Sequence, residues 1–340
     1  MTGKKFFLAA DIGATKAHLA LFPCFSTRKE PAGEEILPSA AYSSCEDLLE
    51  DFLGRMKVKP EGAVLAVAGP VMGEKAKLTN LPWEITSASL KARFGLKKVI
   101  LVNDILALAA GIPLLGTEDQ VTLQEGRTDP EGVCAIIAPG TGLGEAFFVK
   151  EARGYRTFPS EGGHADFAPG NPLEAELYLK LAAEFGHVSW DHLVSGRGIS
   201  RIYRFLAERS GPGGETLSCL EAGQDATPAI IAAALHKSPP CPRSRETLEI
   251  FSRILAAEAG NMALRFWAGG GVYLGGGIPR RILPCLQEKS FLAAFRNKGR
   301  LSWVLANIPL KVIIHPGASL LGAAALGWEM VKAAPRRRPG

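Results

Sequence analysis

The stretch Phe7-Leu8-Ala9-Ala10-Asp11-Ile12-Gly13-Ala14-Thr15-Lys16-Ala17-His18-Leu19-Ala20-Leu21-Phe22 decides the architecture. A strand over residues 5–10, a polar turn over 11–16 that contains a glycine, and a second apolar run over 17–22 predict a β-hairpin. The pattern returns further along the chain. Residues 133–138 form a strand candidate, Pro139-Gly140-Thr141-Gly142-Leu143-Gly144 a turn, and 145–150 the returning strand. Each hairpin is followed by apolar runs bounded by turn residues, the pattern of strands buried on both faces. In the first half these are 63–68, ending at Gly69-Pro70, and 98–102, ending at Asn103-Asp104. In the second they are 271–274, met by Gly275-Gly276-Gly277, and 311–314. Helical spacing covers 46–56, 105–115 (cut short by Gly111 and Pro113), 171–185, 198–210, 227–236, 246–267 and 317–331. A polar break falls at 211–214, and a disordered tail is expected from Pro335 onward. The reading is an α/β protein with an internal duplication.

A chain of 340 residues exceeds the usual single domain, which predicts two domains or one large one. Apolar residues make up 47% and charged residues 21%, an ordinary globular balance that excludes disorder, collagen and coiled coil. The formal net charge is +5. Arg336, Arg337 and Arg338 sit in the tail, so the body carries only about +2, too little for a nucleic-acid surface. The six cysteines occur singly, without the C-x-x-C spacing of a zinc or redox site, and read as free, mostly buried thiols. No apolar run approaches the roughly 18 residues needed to cross a bilayer. The N-terminus lacks the pattern of a cleaved signal peptide, so a cytoplasmic protein is expected.

Four places carry chemistry. Asp11 at a strand end, followed by Gly13, Ala14 and Thr15, puts backbone N–H groups and a hydroxyl where a phosphate can sit. The carboxylate can hold Mg²⁺, usually through water; alternatively the segment is a plain hairpin. Gly140, Thr141 and Gly142 open a second glycine-rich turn, and two such turns in duplicated halves suit the β- and γ-phosphates of a nucleotide. Neither is a Walker loop, and no G-x-G-x-x-G opens a helix in Rossmann fashion. Asp104, beside Asn103 at the carboxyl end of a strand, is placed to accept a proton from an attacking hydroxyl, or to cap the following helix. Glu161-Gly162-Gly163-His164-x-Asp166 is a density of hydrogen-bonding groups suited to a polyol; a metal held by Glu161, His164 and Asp166 is the lesser alternative.

In these residues the chain resembles the bacterial-type glucokinases of the hexokinase and actin-like ATPase superfamily, from about Phe7 to Gly327. The resemblance includes Asp11-Ile12-Gly13-Ala14-Thr15, Leu78-Thr79-Asn80-x-x-Trp83, Asn103-Asp104, Gly140-Thr141-Gly142-Leu143-Gly144 and the Glu161 to Pro169 segment. It continues through Gly186-His187-Val188-Ser189, Leu193-x-Ser195-Gly196, Gly275-Gly276-Gly277-Ile278, Lys298-Gly299-Arg300 and residues 317–322. The resemblance implies a two-domain actin-like ATPase (ribonuclease H-like) fold with an active-site cleft between the domains. The small domain would comprise 1–114 plus 317–334 and the large one 115–316. It implies transfer of the γ-phosphoryl group of ATP, with Mg²⁺, to the 6-hydroxyl of glucose by a cytoplasmic homodimer.

By the same resemblance Asp104 is the general base, and Asn103, Glu161, His164 and Asn80 are sugar ligands together with Asp104. The phosphate loops contain Gly13, Ala14, Thr15, Gly140, Thr141 and Gly142, and Gly276 and Gly277 contact the adenosine. Asp191 is expected among the sugar ligands too, standing where the family has a sugar-binding Glu, one methylene longer. Ala14 replaces the family's second glycine, and Lys16 its usual Asn or His. A kinase for another hexose or an amino sugar, and a sugar-sensing ATP-binding regulator, are the alternatives. The second is disfavoured by the retained Asp104 and by the lack of room for a helix-turn-helix before Asp11. ADP and polyphosphate are alternative phosphate donors.

Overall fold

The computed structural model describes residues 5–24, 30–79, 81–152, 154–210 and 225–332. Two compact units emerge, one from Met1–Gly116 with His315–Gly340, the other from Thr117–Ile314. The expected break at 211–214, the tail and Asn80 lie outside the described residues.

The first unit is built on β1 (Phe6–Ile12), β2 (Ala17–Pro23), β3 (Gly33–Leu37), β4 (Gly62–Val67) and β8 (Lys98–Asn103), in the order β3-β2-β1-β4-β8. Pairing is antiparallel through β3, β2 and β1 and parallel through β1, β4 and β8. Alternation along β1 divides its side chains between two cores. Leu8, Ala10 and Ile12 face the cluster that includes Leu48 and Phe52 of α1 (Cys45–Met56) and Leu90 of α2 (Ser87–Phe94). Phe7 and Ala9 face Ala107 of α3 (Asp104–Gly111) and Leu320, Ala323 and Ala324 of the C-terminal helix Ala318–Lys332. Both faces are covered, which is why β4 is buried at every position and reads as an unbroken apolar run. Strand β1 runs two residues beyond the expected end at Ala10, because Asp11 and Ile12 pair with β2 on one side and β4 on the other. Asp11 therefore lies inside the sheet's central strand.

The second unit repeats the plan. Strands β9 (Gln120–Gln124), β10 (Cys134–Pro139), β11 (Leu143–Glu151), β12 (Gly154–Ser160), β13 (Gly271–Leu274) and β14 (Leu310–Ile313) run in the order β12-β11-β10-β13-β14-β9. Again three antiparallel strands lead into parallel ones, with β9 added antiparallel at the far edge. One core joins this sheet to α4 (Pro172–Phe185), α6 (Gly196–Arg209) and the long helix Pro242–Arg265.

Caps fix the helix starts. Asn171 accepts from the Glu174 N–H at 3.1 Å ahead of Pro172, and Ser195 accepts from the Gly198 N–H at 3.1 Å; each such cap is worth about 1 kcal/mol. Helix α6 thus begins two residues before the expected Gly198, and the long helix begins at Pro242, with its proline in the first turn, rather than at Glu246. Three strands of a small sheet, β5 (Val71–Met72), β6 (Lys75–Lys77) and β7 (Glu84–Thr86), precede α2 and are an addition to the expected elements.

Candidate active site

Strand β1 and the turn after it carry the first candidates. The Gly13 N–H donates to the Lys16 carbonyl at 3.0 Å, and Ser39 Oγ donates to the Gly13 carbonyl at 2.7 Å, so the turn is pinned at both ends of one residue. Outside glycine, the only described residues with positive φ are Lys57 and Trp267, so Ala14 occupies its turn without left-handed strain. Thr15 and Lys16 are exposed. Burial, reinforced by the charge of Asp104, pushes the Asp11 carboxyl up to about 7 against the opposing pull of Lys16.

Asp104 begins α3 at the carboxyl end of β8. The cap is Asn103, whose Oδ1 accepts from the Ile105 N–H at 3.0 Å while its Nδ2 donates to the Gly69 carbonyl at 3.0 Å. Asp104 Oδ1 accepts from the same Ile105 N–H at 2.9 Å. Both residues therefore share the capping role that the sequence left open for Asp104. Burial lifts the Asp104 carboxyl to about 6, with the backbone hydrogen bonds opposing. A carboxylate of that basicity is matched to proton abstraction near neutral pH. Two recessed carboxylates, with the charge of Asp104 raising the proton affinity of Asp11, are also a donor set that a divalent cation would relieve, and hard oxygen ligands of this kind fit Mg²⁺.

In the second unit the turn between β10 and β11 closes through a Gly140 N–H to Gly142 carbonyl bond of 2.8 Å. Two further pins come from a distant segment. The Gly196 N–H donates to the Gly140 carbonyl at 2.9 Å, and Asp191 Oδ1 accepts from the Leu143 N–H at 2.7 Å. Asp191, expected among the sugar ligands, thus engages the glycine turn with one oxygen. It belongs to α5 (Trp190–Leu193), a single turn whose entry Ser189 donates its N–H to His192 Nδ1 at 3.1 Å. A backbone N–H only donates, so that nitrogen is the acceptor, and burial holds the His192 pKa below its usual value.

Glu161 and His164 bracket the one-turn 3₁₀ segment Gly162–His164 after β12. Both side chains are open to solvent, 90% and 65% exposed, with Nε2 and Oε2 4.0 Å apart. They are presented to solvent rather than packed. Asp166 does not join them: its Oδ1 meets His187 Nε2 at 2.9 Å. No group of three His, Cys, Asp or Glu side chains is gathered for a metal ion among the described residues. Gly276, the entry to the short helix Gly277–Arg281, has φ 81°, and a Cβ there would lie 2.7 Å from the Pro139 carbonyl oxygen. Only glycine allows that approach of the segment to the end of β10.

Sequence reasoning missed a buried polar chain behind these loops. Glu145 is 1% exposed, its Oε1 has no hydrogen-bond partner, and Oε2 would lie 2.2 Å from a Cβ placed on Gly162. Burial and the charge of Glu258 push its carboxyl up to about 8, opposed by Arg265. Glu258, itself fully buried, accepts from Asn261 Nδ2 at 2.8 Å and Arg265 Nη1 at 2.6 Å. Lys298 completes the chain, donating to Asn261 Oδ1 at 2.7 Å and to the Ala257 carbonyl at 2.9 Å. A glutamate opening the otherwise apolar run Ala146-Phe147-Phe148-Val149 was the signal available in the sequence.

Two units of duplicated α/β plan, with a glycine turn on each first hairpin and a basic carboxylate at a strand end, define a phosphotransferase of the actin-like ATPase fold. The family model for glucokinase matches residues 8–330. The chain is 38% identical over 333 residues to a glucokinase of Nostoc punctiforme, covering 93% of this chain and 97% of that one. A crystal structure of glucokinase from an Antarctic psychrotroph matches with a TM-score of 0.81 at 33% identity, covering 95% of this chain and 99% of that chain. At 20% identity, a ROK family glucokinase from Streptomyces griseus in complex with glucose and AMPPNP shares the fold, with a TM-score of 0.61 over 94% of this chain and 98% of its own. The chain belongs to the glucokinase family and is an ATP-dependent hexose kinase.

Proposed function

We propose that the chain phosphorylates glucose on its 6-hydroxyl with Asp104 as general base. The observation that carries this reading is the Asp104 carboxyl, desolvated at the end of β8 and lifted to about 6. In the reaction Asp104 takes the proton of the 6-hydroxyl as that oxygen bonds to the γ-phosphorus and the bond to the β-phosphate oxygen breaks, releasing ADP. Asn103, Glu161, His164 and Asn80 hold the other hydroxyls alongside Asp104; Asn103 is oriented by its bond to Gly69, and Glu161 and His164 are open to receive a ligand. The turns at Gly13, Ala14 and Thr15 and at Gly140, Thr141 and Gly142 offer backbone N–H groups to the phosphates, and Gly276 and Gly277 border the adenosine. Asp11 is the residue that would hold Mg²⁺, and the cation would supply charge neutralisation on the phosphates.

The enzyme works in the cytoplasm as a homodimer on this reading. Cys24, Cys45 and Cys285 are free and buried, which supports a reducing compartment, and C₂ dimers are the commonest assembly. Among the described residues no helix is long and apolar enough to cross a membrane. The test is ADP release from ATP with glucose, mannose, glucosamine and fructose. Glucose should give the highest kcat/KM. A higher value for another sugar overturns the glucose assignment, and ADP release independent of sugar overturns the kinase reading of the site.

A further inference from the structure

We propose that Asp191 is a positioning residue that ties the glycine turn after β10 to the Glu161–His164 region, so that the phosphate site and the sugar site of this unit hold one geometry. The inference rests on the reading above for what those two loops bind.

Leu143 packs into the core and, with Gly144, pairs with β10, but the tip Gly140-Thr141-Gly142 lies outside that pairing and carries glycine at two of its three positions. Contacts from another segment add to what holds it. Residues 191 and 196 supply two of its pins, the Gly196 N–H on the Gly140 carbonyl and the Asp191 carboxylate on the Leu143 N–H. The second, at 2.7 Å to an ionisable acceptor, has the length of a charge-assisted bond.

Asp191 can serve as an anchor only if its own one-turn helix is held, because a single turn is not stable alone. The holding groups belong to the sugar loop. The Trp190 N–H donates to the Ala165 carbonyl at 3.2 Å, and the Phe167 N–H to the Val188 carbonyl at 2.9 Å. Asp166 and Ser189 form a β-bridge, and buried Trp190 stands edge-on to Phe167 with ring centroids 5.0 Å apart. On the other flank Ser195 Oγ donates to the Asp191 carbonyl at 2.7 Å, and Arg201 Nη1 to the His192 carbonyl at 2.9 Å. The load path runs from the Glu161 loop through α5 and the Asp191 carboxylate into the phosphate turn. Gly142 leaves room for it: a Cβ there would lie 2.7 Å from Asp191 Oδ1, so a methyl at that position displaces the carboxylate from the turn.

The test combines equilibrium binding of the non-hydrolysable analogue AMPPNP, steady-state kinetics and melting temperature for Asp191→Ala, Asp191→Asn and Gly142→Ala, with the double variant Gly142→Ala/Asp191→Ala. Asparagine keeps an oxygen that accepts the Leu143 N–H, so Asp191→Asn should stay within about 3-fold of wild type in AMPPNP affinity. Asp191→Ala should weaken AMPPNP binding by roughly 10-fold or more and lower kcat, with KM for glucose within about 3-fold. Gly142→Ala should resemble it and add no further loss in the Asp191→Ala background, since the group it displaces is gone. A rise in glucose KM with AMPPNP affinity unaltered, or a Gly142→Ala effect of equal size in both backgrounds, overturns the proposal. Failure of Asp191→Ala to fold leaves the Asp191→Asn and Gly142→Ala results to decide it. AMPPNP binding requires no turnover, so failure of the glucose assignment is read separately in the sugar panel.

Discussion

Gly322→Ala is expected to damage catalysis from the far side of the helix that begins at Asp104. In the C-terminal helix, Gly322 lies against α3 so closely that a Cβ would stand 1.6 Å from the Ala107 carbonyl oxygen and 2.9 Å from the Gly111 nitrogen. Gly111 returns the contact: its own Cβ would lie 2.3 Å from the Ala318 carbonyl oxygen. Ordinary carbon contacts are about 3.5 Å, so the two helices must part locally by roughly 2 Å to admit a methyl group. Two effects oppose each other. Alanine in a helix interior gains about 1 kcal/mol over glycine, whereas overpacking costs about 1 to 3 kcal/mol. With backbone atoms as the obstacle, which no rotamer change relieves, the cost should lie at the upper end, leaving a net loss of about 2 kcal/mol. Helix α3 yields, and with it Asp104 at its first position. A misplacement of about 1 Å at a reacting group costs around 100-fold. Urea denaturation should report the stability loss, and kcat should fall at least 10-fold with KM for ATP little changed. Wild-type stability together with wild-type kcat would refute the packing argument.

Further outcomes follow from other parts of the site. Glu161→Gln and His164→Ala should each raise KM for glucose by about 5- to 150-fold, the equivalent of one hydrogen bond to a bound ligand, with no response to added zinc; a bound transition metal lost together with activity in either variant would overturn their role as sugar ligands. Glu145 releases its proton only near pH 8 in the folded chain but near 4.5 when unfolded. Its contribution to stability is therefore complete below about pH 4.5 and declines as pH rises toward 8, by up to about 1.4 kcal/mol per pH unit. Glu145→Gln should flatten the dependence of urea-unfolding stability on pH between 5 and 8, and parallel profiles for variant and wild type would show that Glu145 is ionised throughout.

Much of the fold was legible because buried parallel strands write themselves as unbroken apolar runs. Strands β4, β8, β10 and β13 were all visible in that way, and the repeated strand-turn-strand pointed to the duplication that the two sheets display. The strands that escaped are β3, β9 and β12, each at a sheet edge, together with the short strands β5 to β7. Edge strands are half-solvated, so residues such as Glu34, Glu35, Gln120 and Arg156 dilute the apolar signal. The candidate site residues that local sequence could single out, Asn103-Asp104 and the glycine turns, lie at the end of β8 and in the turns after β1 and β10. What was not visible is pairing across the chain. The bond of Asp191 to Leu143, the pairing of Asp166 with His187 and the coupling of Glu145 to Glu258 join residues that no local pattern connects. Lys298 is a further case, donating to Asn261 and to the Ala257 carbonyl, 37 and 41 residues away.

The most direct test of Asp104 as the general base is Asp104→Asn, measured for turnover with glucose and ATP and, in parallel, for glucose binding at equilibrium. The amide is nearly isosteric and can still accept the Ile105 N–H, so the start of α3 and the sugar site should survive. It cannot take the 6-hydroxyl proton. The account predicts a kcat lowered by roughly 10² to 10⁴ with glucose affinity near that of the wild type; turnover close to wild type would contradict it.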